Sequence, residues 1–285
     1  MGGSVTATYQ PKPPKIDAVL DQLSDQGWLL LRETNFTVET FGQFIAKLCP
    51  RMTFDPAREY ISASVQSVDA GTNPVGLHIE NGNTPLPPDI VAFFSVKSAP
   101  SGSQTTICDG STVMRRLPTA VKDRLAAPYT MTRYLPKAIW QSYIAKAWDL
   151  EDQERVTESD LDTFIASISG QSYSQRNDGG IDYTLTLPAL RRDNLSGQSA
   201  FANALLGPSF NYEPPVYRDA RGQPMDDQLL EELSAQCEAE ISEIAWRDGD
   251  VAIIDNKRCM HGRREITSPL SERRLAIAMG FLKNH

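Results

Sequence analysis

The chain has 285 residues, 40% hydrophobic and 22% charged, enough for one large globular domain or two small ones. A formal net charge of −8 and a pI near 5.0 exclude a nucleic-acid-binding surface, which needs a basic face, but not a local arginine site for a small anion. No stretch approaches the roughly 18 apolar residues of a membrane span, and no signal-peptide core is found, so a cytoplasmic protein is expected.

Residues 1–15 are rich in proline and lysine and read as a flexible, extended arm. Apolar residues at Ile16, Val19, Leu20 and Leu23 predict a helix over 16–26 that Gly27 stops. Residues 28–31 read as a short buried strand. A second helix is expected up to Leu48, with Thr37 as N-cap and Phe41, Phe44, Ile45 and Leu48 on one face. Downstream, β-rich runs at 90–96, 105–108, 129–134, 183–187, 250–255 and 274–282 predict strands. Helical spacing over 139–148 and 161–168 interrupts them, and a further helix is expected over 226–244. The four cysteines (Cys49, Cys108, Cys237 and Cys259) lack C-x-x-C spacing and read as reduced, half-buried thiols. No repeat or low-complexity linker divides the chain, so 16–285 reads as a single domain. Many short strands with few helices between consecutive ones favour a mainly β (α+β) sandwich or jelly roll over a βαβ fold.

Only three histidines occur, and His285, the final residue, reads as frayed. His78-Ile79-Glu80 places an imidazole and a carboxylate two positions apart, on one side of an extended chain. His261 follows 183 positions later (261 − 78), just beyond the apolar run 251–255. Two imidazoles and one carboxylate form a facial triad, which suits non-haem Fe(II) and leaves three coordination positions open. Alone, the His-x-Glu pair describes a hydrogen-bonded histidine beside a surface glutamate equally well.

Four stretches together say more: Gly76-Leu77-His78-Ile79-Glu80-Asn81; the segment 102–110 with Thr105 and Thr106; the segment 246–256 leading to His261-Gly262-Arg263; and Arg273-Arg274-Leu275-Ala276-Ile277. Their order and spacing resemble the Fe(II)- and 2-oxoglutarate-dependent oxygenases of the taurine dioxygenase/clavaminate synthase family. Within it, segment 102–109 and the C-terminal stretch look most like carbapenem synthase. The resemblance implies a double-stranded β-helix (jelly roll) with flanking and inserted helices. It also implies iron held by His78, Glu80 and His261, with 2-oxoglutarate and O2 as cosubstrates and succinate and CO2 released.

The far carboxylate of 2-oxoglutarate needs a guanidinium and a hydroxyl donor, roles open to Arg273 or Arg274 and to Thr105. Strand alternation lets only one of the two arginines face inward. Arg273 shares its face with Leu275 and Ile277 and is preferred. With Glu80 in the carboxylate position, hydroxylation is favoured over halogenation. In relatives of this kind a second arginine, four positions further on, grips the substrate's acidic group. Ile277 or Ala278 stands there instead, so taurine should be a poor substrate. Arg263, Arg115, Arg116, Arg191 and Arg192 are the substitute cations, and a neutral or carrier-protein-bound substrate is the other solution. A small amino-acid-like or secondary-metabolite substrate is expected. Segment 136–180 reads either as a lid or as a contact in a homo-oligomer. The alternative to an oxygenase is a redox-inert jelly-roll protein holding another metal through the same triad.

Overall fold

The structure, a computed structural model, describes residues 7–9, 13–55, 58–148, 150–207 and 213–283. The first elements are β1 (Ala7–Tyr9), α1 (Ile16–Gln26), β2 (Trp28–Arg32), α2 (Val38–Leu48), β3 (Arg51–Thr53), β4 (Tyr60–Ser62) and β5 (Val65–Ser67). Next come β6 (Val75–His78), β7 (Ile90–Lys97), β8 (Thr105–Asp109), α3 (Gly110–Arg116), α4 (Thr119–Leu125) and β9 (Tyr129–Leu135). The middle holds α5 (Lys137–Ala147), α6 (Glu158–Ser167), β10 (Gln171–Gln175), β11 (Ile181–Leu187), β12 (Arg191–Arg192) and β13 (Ser199–Ala200). The chain continues through β14 (Val216–Arg218), α7 (Asp227–Glu238), β15 (Ile241–Ile244), β16 (Val251–Asp255), β17 (Cys259–Arg263) and β18 (Arg274–Phe281).

Two sheets face each other as a jelly roll. The larger runs β1-β2-β16-β7-β18-β5-β4, with β3 also on β18, and the smaller runs β15-β8-β17-β6. Period-2 alternation explains how one strand serves two cores. In β18, Leu275, Ile277 and Met279 join Phe93 and Ile107 in the core between the sheets. Ala276 and Ala278 face the other way, into the layer that α1 and α2 cover with Val19, Leu23, Phe41 and Ile45. α1 stops at Gly27, which takes the left-handed conformation (φ 77°), and α2 starts from a Thr37 capping box. A third core lies outside the small sheet. It packs the β10-β11-β9-β14 sheet against α3 to α7.

Two expectations need correction. The helix expected over 226–244 ends at Glu238, and Ile241–Ile244 forms β15, paired with β8. The cysteines are all fully buried rather than half-buried. Residues 7–9 of the expected arm pair in parallel with β2, while 1–6, 10–12 and His285 lie outside the described residues. Among the described residues no helix is long and apolar enough to cross a membrane.

Candidate active site

β6 and β17 are antiparallel neighbours, and their register sets His78 directly opposite His261. Both imidazoles face inward, with ring centroids 4.6 Å apart, and the edge of Phe93 from the opposite sheet closes on His261 at 5.2 Å. Close backbone approach makes this possible: a Cβ on Gly207 would sit 2.6 Å from that of His78, and one on Gly262 would sit 2.5 Å from the Val75 carbonyl oxygen. Glu80 follows β6 and swings back to the pair, with Oε2 3.3 Å from His261 Nε2. A buried side chain fixes that turn. Asn256 accepts from the Glu80 amide (2.8 Å) and donates to the Glu80 and Pro88 carbonyls (both 3.0 Å).

The chemistry of these donors fits a divalent metal. Ligand atoms of His78, Glu80 and His261 all lie within 4.8 Å of one another. His78 Nδ1 is 2.8 Å from the Gly76 carbonyl, which can only accept, so the proton sits on Nδ1 and Nε2 keeps its lone pair. Burial and the neighbouring His261 push the His78 pKa down to about 4, so the ring is neutral at physiological pH. For Glu80 burial works in the opposite sense. The Arg58 charge and the His261 contact outweigh it and hold the carboxyl well below its usual range. Arg58 donates to Glu80 Oε1 at 2.6 Å and to Asp55 Oδ2 at 3.3 Å.

A second polar cluster lies further along the same inner face. Thr105 pairs with Arg263, and Ile107 with His261, so all four side chains point between the sheets. Thr105 Oγ1 accepts from Trp246 Nε1 at 2.9 Å, which leaves its own proton to donate. Arg273 donates to Ser103 Oγ at 3.2 Å, and burial together with the nearby Arg263 charge lowers its pKa to about 10. Arg274 lies on the opposite face of the strand and is exposed.

The substitute cations lie elsewhere. Arg263 is turned to the 70–73 loop, donating to the carbonyls of Gly71 (2.8 Å) and Asn73 (2.6 Å). Arg115 bonds Thr112 and Gln198, Arg116 pairs with Glu240, Arg191 donates to the Ala202 carbonyl, and Arg192 donates to that of Gly197. None of them lines the 290 Å³ cavity that opens onto His78 and Glu80. Its described cationic walls are Arg58 and Arg133, which sequence spacing did not single out, and its roof is apolar. Ile139, Trp140, Tyr143 and Ile144 of α5 meet Leu161, Phe164 and Ile165 of α6 there, at helical i, i+1, i+4, i+5 and i, i+3, i+4 spacing.

A jelly roll carrying an inward two-histidine, one-carboxylate cluster beside a half-buried arginine fits a mononuclear metal site of the kind that non-haem iron enzymes use. The family model for the taurine catabolism dioxygenase TauD, TfdA family matches residues 2–279, and the chain belongs to that family. It is accordingly an iron- and 2-oxoglutarate-dependent dioxygenase, with Fe(II), 2-oxoglutarate and O2 as cofactor and cosubstrates. Among solved structures it is similar to a taurine dioxygenase from Burkholderia xenovorans (TM-score 0.63, 13% identity, covering 95% of this chain and 83% of that one). It is also similar to PvcB from Pseudomonas aeruginosa (0.63, 12%, 96% and 84%). A further structure of PvcB, an Fe, α-ketoglutarate-dependent oxygenase from an isonitrile synthetic pathway, gives 0.61 at 13% identity, covering 96% and 85%. No match was found among curated protein sequences.

Proposed function

We propose that the protein hydroxylates an unactivated C–H bond of a small amino-acid-like or secondary-metabolite molecule. The substrate and 2-oxoglutarate consume O2, one oxygen atom entering the alcohol and the other entering succinate as CO2 leaves. In this reading His78, Glu80 and His261 hold iron, which supplies the O2 activation coupled to 2-oxoglutarate decarboxylation. Arg273 and Thr105 receive the far carboxylate of 2-oxoglutarate. The observation that carries the reading is the convergence of three ligand atoms within 4.8 Å, two of the three residues, His78 and Glu80, lining a cavity with an apolar roof.

Every described lid residue lining the roof belongs to segment 136–180, which supports a lid over the site in one catalytic domain spanning 16–285. Ile277 is buried in the core between the sheets, so no guanidinium stands at the place four positions beyond Arg273. That supports a substrate other than taurine. The origin of PvcB in an isonitrile synthetic pathway supports a tailoring role in secondary metabolism.

The test is anaerobic addition of Fe(II) and 2-oxoglutarate, followed by aeration with free amino acids, carrier-bound amino acids and small β-lactam-like acids. A visible charge-transfer band and substrate-dependent succinate are expected. Loss of both would overturn the proposal, and efficient turnover of taurine would overturn its substrate part.

A further inference from the structure

The charges on the cavity wall already have partners. Among the described lining residues the charged ones are Arg58, Arg133, Asp55 and Glu80, two of each sign. Arg58 donates to Glu80 Oε1 at 2.6 Å and to Asp55 Oδ2 at 3.3 Å. Arg133 is likewise engaged within the protein. The divalent ion and dianionic cosubstrate of the proposed function cancel each other, and neither Thr105 nor Arg273 lines this space. A carboxylate or ammonium entering it would lose its water without meeting a free counter-charge. The neutral polar side chains sort themselves too. Trp140 donates to the Gly179 carbonyl at 3.1 Å, Tyr183 to Gln171 at 2.7 Å and Asn83 to Tyr217 at 2.9 Å. The side chains of Thr53 and Asn81 make no hydrogen bond among the described residues. Neither can carry a charge.

Asn81 is the better placed of the two, directly after Glu80 in the turn that follows β6. Its carbonyl accepts from the Thr84 amide (3.0 Å) and hydroxyl (2.8 Å), and its φ of 53° lies in the left-handed region. Glycine would take that φ at lower cost, so the turn itself calls for no amide. What the side chain adds is a neutral donor and acceptor beside the metal ligands. We infer that the substrate is an uncharged molecule with an apolar body, oriented by a hydrogen bond between Asn81 and a neutral carbonyl or hydroxyl group. Its body would lie under Trp140, Tyr143 and Phe164. Leu86 and Ile139 also line the cavity while 52% and 37% exposed, so the apolar surface continues to the rim where a substrate enters. The inference rests on the proposed function for the identity of the ion and the cosubstrate, and narrows its substrate to neutral molecules.

The protein loaded anaerobically with Fe(II) and saturating 2-oxoglutarate would be titrated with probes of one size and different charge. These are 3-phenylpropionamide, 3-phenylpropionate, 3-phenylpropylamine and propylbenzene, and the matching 4-methylpentyl series, followed by calorimetry and tryptophan fluorescence. In at least one series the amide should bind about tenfold or more tightly than the acid or the amine. Asn81→Gly, which keeps the backbone conformation, should weaken that amide about three- to tenfold and leave the hydrocarbon within about twofold. A merely structural role for Asn81 would move both. Asn81→Asp, of the same shape, should reverse the order by drawing in the amine ahead of the amide. It carries the test alone should the glycine variant fail to fold. Preference for acid or amine in the parent, or no binding in either series, would overturn the inference. So would an amide affinity untouched by Asn81→Gly, or an amine affinity untouched by Asn81→Asp. The charge-transfer band, recorded on the same samples, separates the two readings. A band with acid or amine preference sinks the neutral substrate alone, and amide preference without a band sinks the oxygenase assignment alone.

Discussion

Glu80 owes its position to a residue that touches no ligand atom. Asn256 is fully buried and spends its whole amide on the backbone around Glu80, so it acts as a positioning residue for the carboxylate. Asn256→Ala should lower Mn(II) or Fe(II) affinity by about 10- to 100-fold, as loss of a ligand's supporting partner does. Calorimetric metal affinity equal to the parent's would refute that role. On the cosubstrate side, Arg273→Ala should reduce apparent 2-oxoglutarate affinity at least about a hundredfold, the cost of stranding a sequestered carboxylate. Arg274→Ala, on the exposed face, should stay within about twofold. If both are silent by titration of the charge-transfer band, the cosubstrate site lies elsewhere. The triad could be read in the sequence because histidine is scarce and two-residue spacing has meaning on a strand. The parity of Arg273 followed from the same period. Arg58 could not be read: its ion pair with Glu80 spans 22 residues and leaves no spacing signal. Arg133 did have a signal, a charge on the apolar stripe of an alternating strand, visible once Tyr129, Met131 and Leu135 are set in one row.

The elements that frame the site were legible where one face is strongly apolar. α1, α2, β7 and β18 fall where periodicity puts them, because each buries a continuous row against a core. The miss at 226–244 has a physical cause. Leu229, Leu233, Cys237 and Ile241 continue at four-residue spacing, and no glycine or proline marks the turn at 239–240. Pairing with β8 then claims Ile241–Ile244 as strand, a long-range contact that local pattern cannot contain. β6 and β17, which carry both histidines, are short and contain Gly76 and Gly262, so neither shows a strand pattern. The α5–α6 roof carries the element-scale prediction. Hydrogen exchange in 137–167 should slow when a substrate found by succinate release is added to the iron–2-oxoglutarate enzyme. Equal protection with and without that substrate would make the roof a fixed wall instead of a lid.

A few buried carboxylates bear on the stability of the whole molecule. Asp255 lies 3% exposed beside Asp193 and Asp89. Burial first, then these neighbouring carboxylates, raise its pKa to about 7, against opposition from the Lys257 amide and the Arg258 charge. The folded state therefore holds a proton that the unfolded chain releases near pH 4, so this group's contribution is fully present below that pH and fades as pH rises through about 7. A tenfold change in proton affinity is worth about 1.4 kcal/mol, which caps the effect at roughly 4 kcal/mol. Asp255→Asn should flatten the fall in urea-unfolding stability between about pH 5 and pH 8 and match or exceed the parent at the upper end. A slope equal to the parent's would place the pH dependence in other groups. The register of His78 against His261 bears on something else, the order of events during synthesis. These partners are 183 residues apart in the chain (261 − 78), so their contact waits until nearly every strand between them exists. A nascent chain exposes His78 and Glu80 as a two-ligand fragment long before the third ligand has been translated. A pair of ligands grips any divalent ion far more weakly than three fixed ones do. With His78, Glu80 and His261 as the proposed ligands, the choice of metal is then a property of the finished fold.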